Sequence, residues 1–76
     1  MTAKYAIIIE RADDGSFSAY VPDLPGCTSC ADSVDALRVS IREAIASHIA
    51  VLREFGEHVP PPTSLAESVD AEVAAA

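Results

Sequence analysis

A single long amphipathic segment, residues 33–55, constrains the fold of this chain more than any other feature. Asp32 or Ser33 can cap its first-turn amides, Gly56 suits the position after its last turn, and the prolines at 60–62 prevent further helix. A helix with one apolar face needs a second layer to cover that face. Branched apolar residues recur there at spacings of three and four, which places them on one helix face: Val34, Leu37, Ile41, Ile45, Ile49 and Leu52.

The residues before this helix predict strands that supply the second layer. Residues 5–11 carry an apolar run on both faces, which is typical of a strand in the middle of a sheet. The Asp14-Gly15 pair fits a hairpin turn, and residues 17–21 then alternate apolar and polar side chains. After a loop rich in proline and glycine, residues 27–31 predict a short third strand.

The residues after the helix predict one more strand. Residues 68–73 alternate polar and small apolar side chains, although Leu65, Val69 and Val73 also fit a short helix. A strand reached through a helix would lie parallel to an earlier strand. We therefore predict an α+β fold of order ββ(β)αβ, with a small mixed sheet packed on one long helix and the first strand at its centre.

The length of 76 residues predicts one domain over residues 1–76, with a core over about 4–73. A domain this small buries a limited part of its surface when it is alone. We expect association with itself or with a partner to add to its stability.

The charge balance is strongly acidic and narrows the choice of partner. Asp and Glu number 12 against 5 Lys and Arg, so the formal net charge is -7, and residues 57–76 contain no Lys or Arg. Such a field repels phosphate backbones and attracts basic proteins. We predict no direct binding of nucleic acid by this chain alone, and the acidic end is equally compatible with a solvated tail and a partner-facing one.

The sequence also predicts a cytoplasmic protein that does not enter a membrane. No run approaches the roughly 20 apolar residues that cross a bilayer. The start of the chain enters a strand-like stretch at once and lacks the pattern of a secretory signal.

The pair Cys27 and Cys30 has C-x-x-C spacing, which could supply thiolates to zinc or form a redox couple. A structural zinc site usually needs four ligands, and His48 and His58 lie outside the usual histidine spacing. The pair also precedes a short strand, whereas redox C-x-x-C pairs begin a helix. Two small residues beside an edge strand are the favoured interpretation, so we predict no metal site and no cofactor.

Carboxylates could indicate a metal-dependent nuclease, because two-metal chemistry needs converging acids. Asp13 and Asp14 are explained by the hairpin turn and Asp32 by the helix cap, and Asp23 and Glu10 alone do not make a site. A general base at His48 is also possible in principle, but a boundary or dimer-contact histidine is favoured. We predict no catalytic residue.

Several segments together resemble the HicB family. The most specific is V-P-D-L-P-G-C at residues 21–27, which follows F-S-A-Y at 17–20. Two positions depart from the family pattern, because Ala31 stands where glycine is common and Cys30 stands at a usually polar position. The similarity covers roughly residues 5–73, and its other parts are Y-A-I-I-I-E at 5–10, D-G at 14–15, D-S at 32–33, A-L at 36–37, R-E-A-I at 42–45 and G-E at 56–57.

The resemblance implies a partial ribonuclease H-like fold without the full catalytic carboxylate set, assembled as a homodimer or a higher homo-oligomer. It also implies the role of a type II antitoxin, which binds and neutralises a small basic HicA-type toxin that cleaves mRNA. Many members add a C-terminal DNA-binding module, and we expect no separate one in residues 1–76.

We predict that the toxin is contacted by the loop after the second strand and the adjacent sheet edge. An orphan HicB-like domain that oligomerises or binds a small ligand is the alternative function, and a metal-dependent nuclease is less favoured. The predicted partner-binding residues are Tyr20, Asp23, Leu24, Pro25, Gly26 and Cys27.

Overall fold

Three strands and one helix make up the fold of residues 2–74, which are the residues that the computed structural model describes. The strands form one antiparallel sheet in the order β1-β2-β3, and the helix α1 packs on one face of it, over β2 and β3. The predicted α+β class and the order of the first four elements are confirmed. The elements are β1 (Ile8–Arg11), β2 (Phe17–Tyr20), β3 (Thr28–Ala31) and α1 (Val34–Glu54).

The sheet differs from the predicted one in two respects. β1 lies at an edge and not at the centre, because β2 pairs with both of its neighbours in sequence. Residues 68–73, predicted as a strand, have no regular secondary structure and pair with no strand within the described part of the chain. The apolar run that suggested a central strand therefore leaves Ile9 37% exposed at the sheet edge.

Local hydrogen bonds close the hairpin between β1 and β2. The amide of Gly15 donates to the carbonyl of Ala12 at 3.0 Å, and the amide of Ala12 donates to the carbonyl of Ser16 at 2.8 Å. Gly15 has a φ of 89°, which an L side chain rarely adopts. Asp14 Oδ1 accepts from the hydroxyl of Ser16 at 2.6 Å and from its amide at 2.9 Å, and these bonds lower the pKa of Asp14. The predicted turn is confirmed.

The helix α1 begins and ends at the predicted signals. Ser33 Oγ accepts from the amide of Ala36 at 3.1 Å, which satisfies one of the first-turn amides that have no acceptor within the helix. After the last turn, Gly56 adopts a φ of 67° and allows the amide of Glu57 to donate to the carbonyl of Leu52 at 2.8 Å. This is the bond that ends a helix in a Schellman motif, so both ends of α1 follow from local sequence.

The core lies between α1 and the β2–β3 connection. Leu37 and Ile41 are the buried residues of the helix stripe, while its outer members are half-buried. A hydrogen bond between the hydroxyls of Ser29 and Ser40 also joins β3 to α1. The buried cluster consists of Ala19, Val21, Leu24, Cys27, Leu37 and Ile41.

Within residues 2–74, no helix combines the length and the apolar content that a membrane crossing requires.

We predict that Leu37→Ala lowers the free energy of unfolding by about 2–5 kcal/mol, because it opens a cavity at a fully buried site. Val39→Ala, at a helix position that is 55% exposed, should change it by less than about 0.5 kcal/mol. Urea unfolding followed by circular dichroism measures both. Equal effects of the two substitutions would contradict this location of the core.

Candidate functional site

The loop between β2 and β3, residues 21–27, consists of two consecutive hydrogen-bonded turns. The amide of Leu24 donates to the carbonyl of Val21 at 3.1 Å, and the amide of Cys27 donates to the carbonyl of Leu24 at 3.0 Å. The amide of Val21 also donates to the carbonyl of Cys27 at 3.1 Å, which closes the base of the loop. Pro25 and Gly26, with a φ of 87° at Gly26, occupy the two central positions of the second turn, as a type II turn requires.

The outer residues of this loop are available to a partner. Pro25 and Gly26 are exposed, and Tyr20, the last residue of β2, is 42% exposed. Tyr20 pairs in register with Ile8 and Thr28, so its side chain lies on the face of the sheet that α1 does not cover. Tyr20 therefore presents an exposed aromatic side chain directly before the loop.

Two of the predicted site residues point into the core and not outward. Leu24 has no exposed area, and Cys27 is buried beside it. Their side chains hold the loop against α1 and are not accessible in the single chain. The sequence assigned them to this loop but could not separate its buried residues from its exposed ones, because the prolines remove any regular periodicity.

Asp23 fastens a distant part of the chain to this loop. Its Oδ2 accepts from the amides of Thr63 and Ser64 at 2.9 and 2.8 Å, and its Oδ1 accepts from their hydroxyls at 3.1 and 2.8 Å. The bonds from the amide and hydroxyl of Ser64 contribute most to lowering the pKa of Asp23, and those from Thr63 add to the effect. The carboxylate therefore has four donors from within the chain.

A second contact fixes the same C-terminal segment. The hydroxyl of Tyr5 donates to the carbonyl of Pro60 at 2.6 Å. We call residues 57–74 the C-terminal arm, since they follow the helix without regular secondary structure and contact Tyr5 and then Asp23. No sequence pattern signals these contacts, because their partners lie 40 to 55 positions apart.

A shallow groove lies between the loop and the helix. It encloses about 370 Å³, and we call it the helix–loop groove. His48 lies in it, half-buried beside Ser47, which places this histidine at a surface boundary and next to the predicted contact loop. The groove is lined by Gly26, Cys27, Thr28, Ala44, Ser47, His48 and Val51.

The two cysteines occupy different environments. Cys27 is buried before β3, whereas Cys30 is exposed within it, and both are free thiols. Burial raises the pKa of the Cys27 thiol. Between residues 2 and 74, no three histidine, cysteine or acidic side chains gather where they could hold a metal ion.

The carboxylates considered for nuclease chemistry lie at both ends of the sheet. Asp13 and Asp14 belong to the turn before β2, and Asp32 lies at the same end, because it follows Ala31, which pairs with Phe17. Asp23 follows the opposite end of β2 and is bonded to Thr63 and Ser64. The four acids therefore do not converge on one point within the described residues.

Sequence comparisons identify the family to which the chain is similar. A family model described as the HicB-like antitoxin of bacterial toxin–antitoxin systems matches residues 5–74. The match spans the sheet, the loop at residues 21–27, the helix and the whole C-terminal arm.

Individual relatives carry less informative names. The chain is 41% identical over 58 residues to a UPF0150 protein of Archaeoglobus fulgidus, covering 74% of this chain and 84% of that protein. It is 35% identical over 57 residues to a UPF0150 protein of Thermoplasma acidophilum, covering 75% and 83%. It is also 33% identical over 66 residues to an uncharacterized 14.9 kDa protein of Haemophilus phage HP1, covering 87% of this chain and 49% of the phage protein. The chain thus spans about half the length of the phage relative.

We predict that the contact between Asp23 and the arm persists to unusually low pH. Because folding lowers the pKa of Asp23, the contact should be complete above about pH 4, the usual carboxyl range, and should be lost only as the pH falls through the lower folded-state pKa. Nuclear magnetic resonance titration of the Asp23 carboxyl carbon and the Thr63 and Ser64 amides measures this. A midpoint at or above the usual carboxyl pKa would contradict it.

The matched substitution is Asp23→Asn, which removes one of the two acceptor oxygens. We expect faster hydrogen exchange at the amides of Thr63 and Ser64 in this variant, because an amide nitrogen cannot accept their protons. Asp13→Asn, at the opposite end of β2, should leave exchange at both amides unchanged.

We predict that thiol reagents distinguish the two cysteines. At pH 7.5 Cys30 should react with Ellman's reagent in the native chain, whereas Cys27 should react only in denaturant, because it is buried and its raised pKa keeps it protonated. Cys30→Ser should remove the fast phase and leave the slow one. Two fast thiols in the native wild-type chain would show that the loop opens.

Proposed function

Because the chain belongs to the HicB-like antitoxin family of bacterial toxin–antitoxin systems, we propose that it is the antitoxin of a type II pair. In this proposal it binds a small, basic HicA-type ribonuclease toxin directly and neutralises it without catalysis. The match of the family model over residues 5–74 carries the proposal, since it covers nearly the whole described fold.

The charge of the chain supports a basic protein as the partner. The formal net charge of -7 favours encounter with a cationic surface and disfavours RNA. A toxin that binds RNA must present such a cationic surface to phosphates. An acidic protein that covers this surface competes directly with the RNA, which is how binding alone could block cleavage.

We place the toxin contact on the surface formed by Tyr20 and the β2–β3 loop. The two hydrogen-bonded turns make the loop rigid, so little conformational entropy is lost when it binds. Tyr20 offers the large, exposed aromatic side chain that interface centres favour, and Pro25 and Gly26 lie beside it. Leu24 and Cys27 contribute indirectly, because their buried side chains hold the loop in position. In this proposal Asp23 contributes indirectly, because its hydrogen bonds hold the C-terminal arm against the loop.

We also infer that the chain forms homodimers or larger homo-oligomers and works in the cytoplasm. Only six of the residues that the structure describes are buried, so self-association would add apolar contact that the single chain lacks. The two free thiols suit a reducing compartment, where an mRNA-cleaving toxin would meet its substrate.

A second candidate is an orphan domain that oligomerises and has no toxin. The observation that favours it is the exposure of three large apolar side chains on the C-terminal arm, at Leu65, Val69 and Val73. Co-expression with the small basic reading frame next to this gene separates the two functions. The antitoxin predicts rescue of growth and co-purification of the two proteins, and the orphan domain predicts neither.

We predict that Tyr20→Ser weakens binding to the product of that reading frame by about tenfold or more, because interface tyrosines often contribute over 1.4 kcal/mol. Isothermal titration calorimetry measures the dissociation constant. The matched control is Val39→Ser, which removes an exposed apolar side chain on α1 outside the proposed surface. Equal affinity of the Tyr20 variant and the wild type would remove this surface from the proposal.

A further inference from the structure

The outer half of the C-terminal arm, residues 65–74, presents apolar side chains to water. Leu65, Val69 and Val73 are 93%, 84% and 87% exposed. They are four residues apart, so an extended strand places all three on one face. The radius of gyration is 14.9 Å, against about 11 Å for a compact chain of this length. The arm therefore extends away from the body of the molecule, and its apolar side chains are exposed to water.

A groove on the body has the complementary character. It lies between the segment before β1 and the helix α1, and it encloses about 390 Å³. Its apolar residues include Ile7, Ile41 and Ile45, and we call it the N-terminal groove. Three of the five basic residues of the chain lie along it, which are Lys4, Arg38 and Arg42.

The sheet is incomplete on the same side. Because α1 packs over β2 and β3, it leaves the β1 edge uncovered, and Ile9 stays 37% exposed there. Residues 2–7 precede β1 without regular secondary structure and lie outside its ladder with β2. An edge strand with this extension is a template for one more strand.

The arm matches this groove in charge as well as in shape. Glu67, Asp70 and Glu72 lie among the apolar residues of the arm, and the arm contains no Lys or Arg. The only ion pair of the groove's basic residues within the described chain joins Arg38 to Asp35 at 2.9 Å, on an exposed helix face, and such pairs are readily exchanged. If the arm lay in the groove, its apolar side chains would contact the apolar residues of the groove. Its acidic side chains would lie near the basic residues of the groove.

We propose that the N-terminal groove receives the C-terminal arm of a second copy of this chain, and that two copies exchange arms reciprocally. The arm is fixed to its own body at Pro60, Thr63 and Ser64, and from Leu65 onward its apolar side chains face solvent and not its own groove. An exchange of identical arms closes a two-fold symmetric dimer.

The exchange also accounts for both strand patterns that the single chain leaves unused. Residues 5–11 and 68–73 each carry the pattern of a strand, yet β1 begins only at Ile8 and the arm pairs with no strand in the described residues. Pairing the arm of one copy beside β1 of the other would lengthen β1 and form the last strand. The inference rests on the self-association proposed above and not on the toxin.

Two sets of full-length variants test the exchange. Val69→Asp with Val73→Asp damages the arm, and Arg38→Glu with Arg42→Glu damages the groove at exposed positions. Sedimentation equilibrium should give a dimer for the wild type and a dissociation constant at least about tenfold higher for each double variant. Val39→Asp with Val51→Asp, at exposed apolar positions outside both surfaces, is the matched control and should remain dimeric.

Mixing the two defective chains gives the decisive measurement. In a mixed dimer, the unaltered arm of the groove variant meets the unaltered groove of the arm variant. One of the two arm–groove contacts is therefore intact, whereas both are damaged in each homodimer. The mixture should form heterodimers although neither variant dimerises well alone. Native mass spectrometry resolves the mixed species, and circular dichroism checks that each variant is folded.

Three results would overturn the exchange: a monomeric wild type at 100 μM, double variants that dimerise as the wild type does, or a mixture that stays monomeric. Toxin binding by the arm variant is measured in parallel with the Tyr20 surface intact. Loss of dimerisation with retained toxin binding supports the exchange. A wild type that dimerises through the arm but binds no toxin leaves the exchange standing and counts against the antitoxin proposal.

Discussion

The packing of the β2–β3 loop against the helix α1 holds this fold together. Leu24 of the loop and Leu37 of the helix are the two largest side chains that are wholly buried, and the remaining core residues surround them. A sheet of three short strands has little stability without a covering helix, and this helix has no other layer to cover its apolar face. The loop is therefore part of the core as well as part of the surface.

This double role explains the composition of the loop. The inner side chains supply apolar contact to the core. The turn at Pro25 and Gly26 reverses the backbone, and the hydrogen bonds that close the loop are formed between its own residues. Asp23 adds a third role, because its carboxylate holds the arm that follows the helix. A partner that binds the loop would thus contact a segment whose position is fixed by the core, by its own turns and by the arm.

The distribution of charge divides the surface into regions with different partners. The whole chain is acidic, yet three of its five basic residues line the N-terminal groove. An acidic body suits the cationic toxin that we propose, whereas a basic groove suits an acidic segment such as the arm. Self-association and toxin binding can therefore occupy separate surfaces, so a dimer would still present both loops.

The sequence by itself determined the elements whose signals are local. The helix and both its caps, the β1–β2 turn and the alternation of β2 all follow from neighbouring residues, because capping, turn formation and periodicity act over a few positions. The family resemblance likewise located the loop at residues 21–27. Sequence could not decide which residues of that loop are buried, since Leu24 and Cys27 lie in turns without a repeating face.

Only the tertiary structure decided the arrangement of the strands and the path of the arm. A strand pattern states that a segment can pair, but the partner is chosen by the whole chain, so β1 became an edge strand and residues 68–73 remained without a ladder in the described chain. The contacts from Asp23 to Thr63 and Ser64 join residues 40 positions apart, and no local propensity encodes them. They form because the core first brings the loop and the end of the helix to the same side of the molecule.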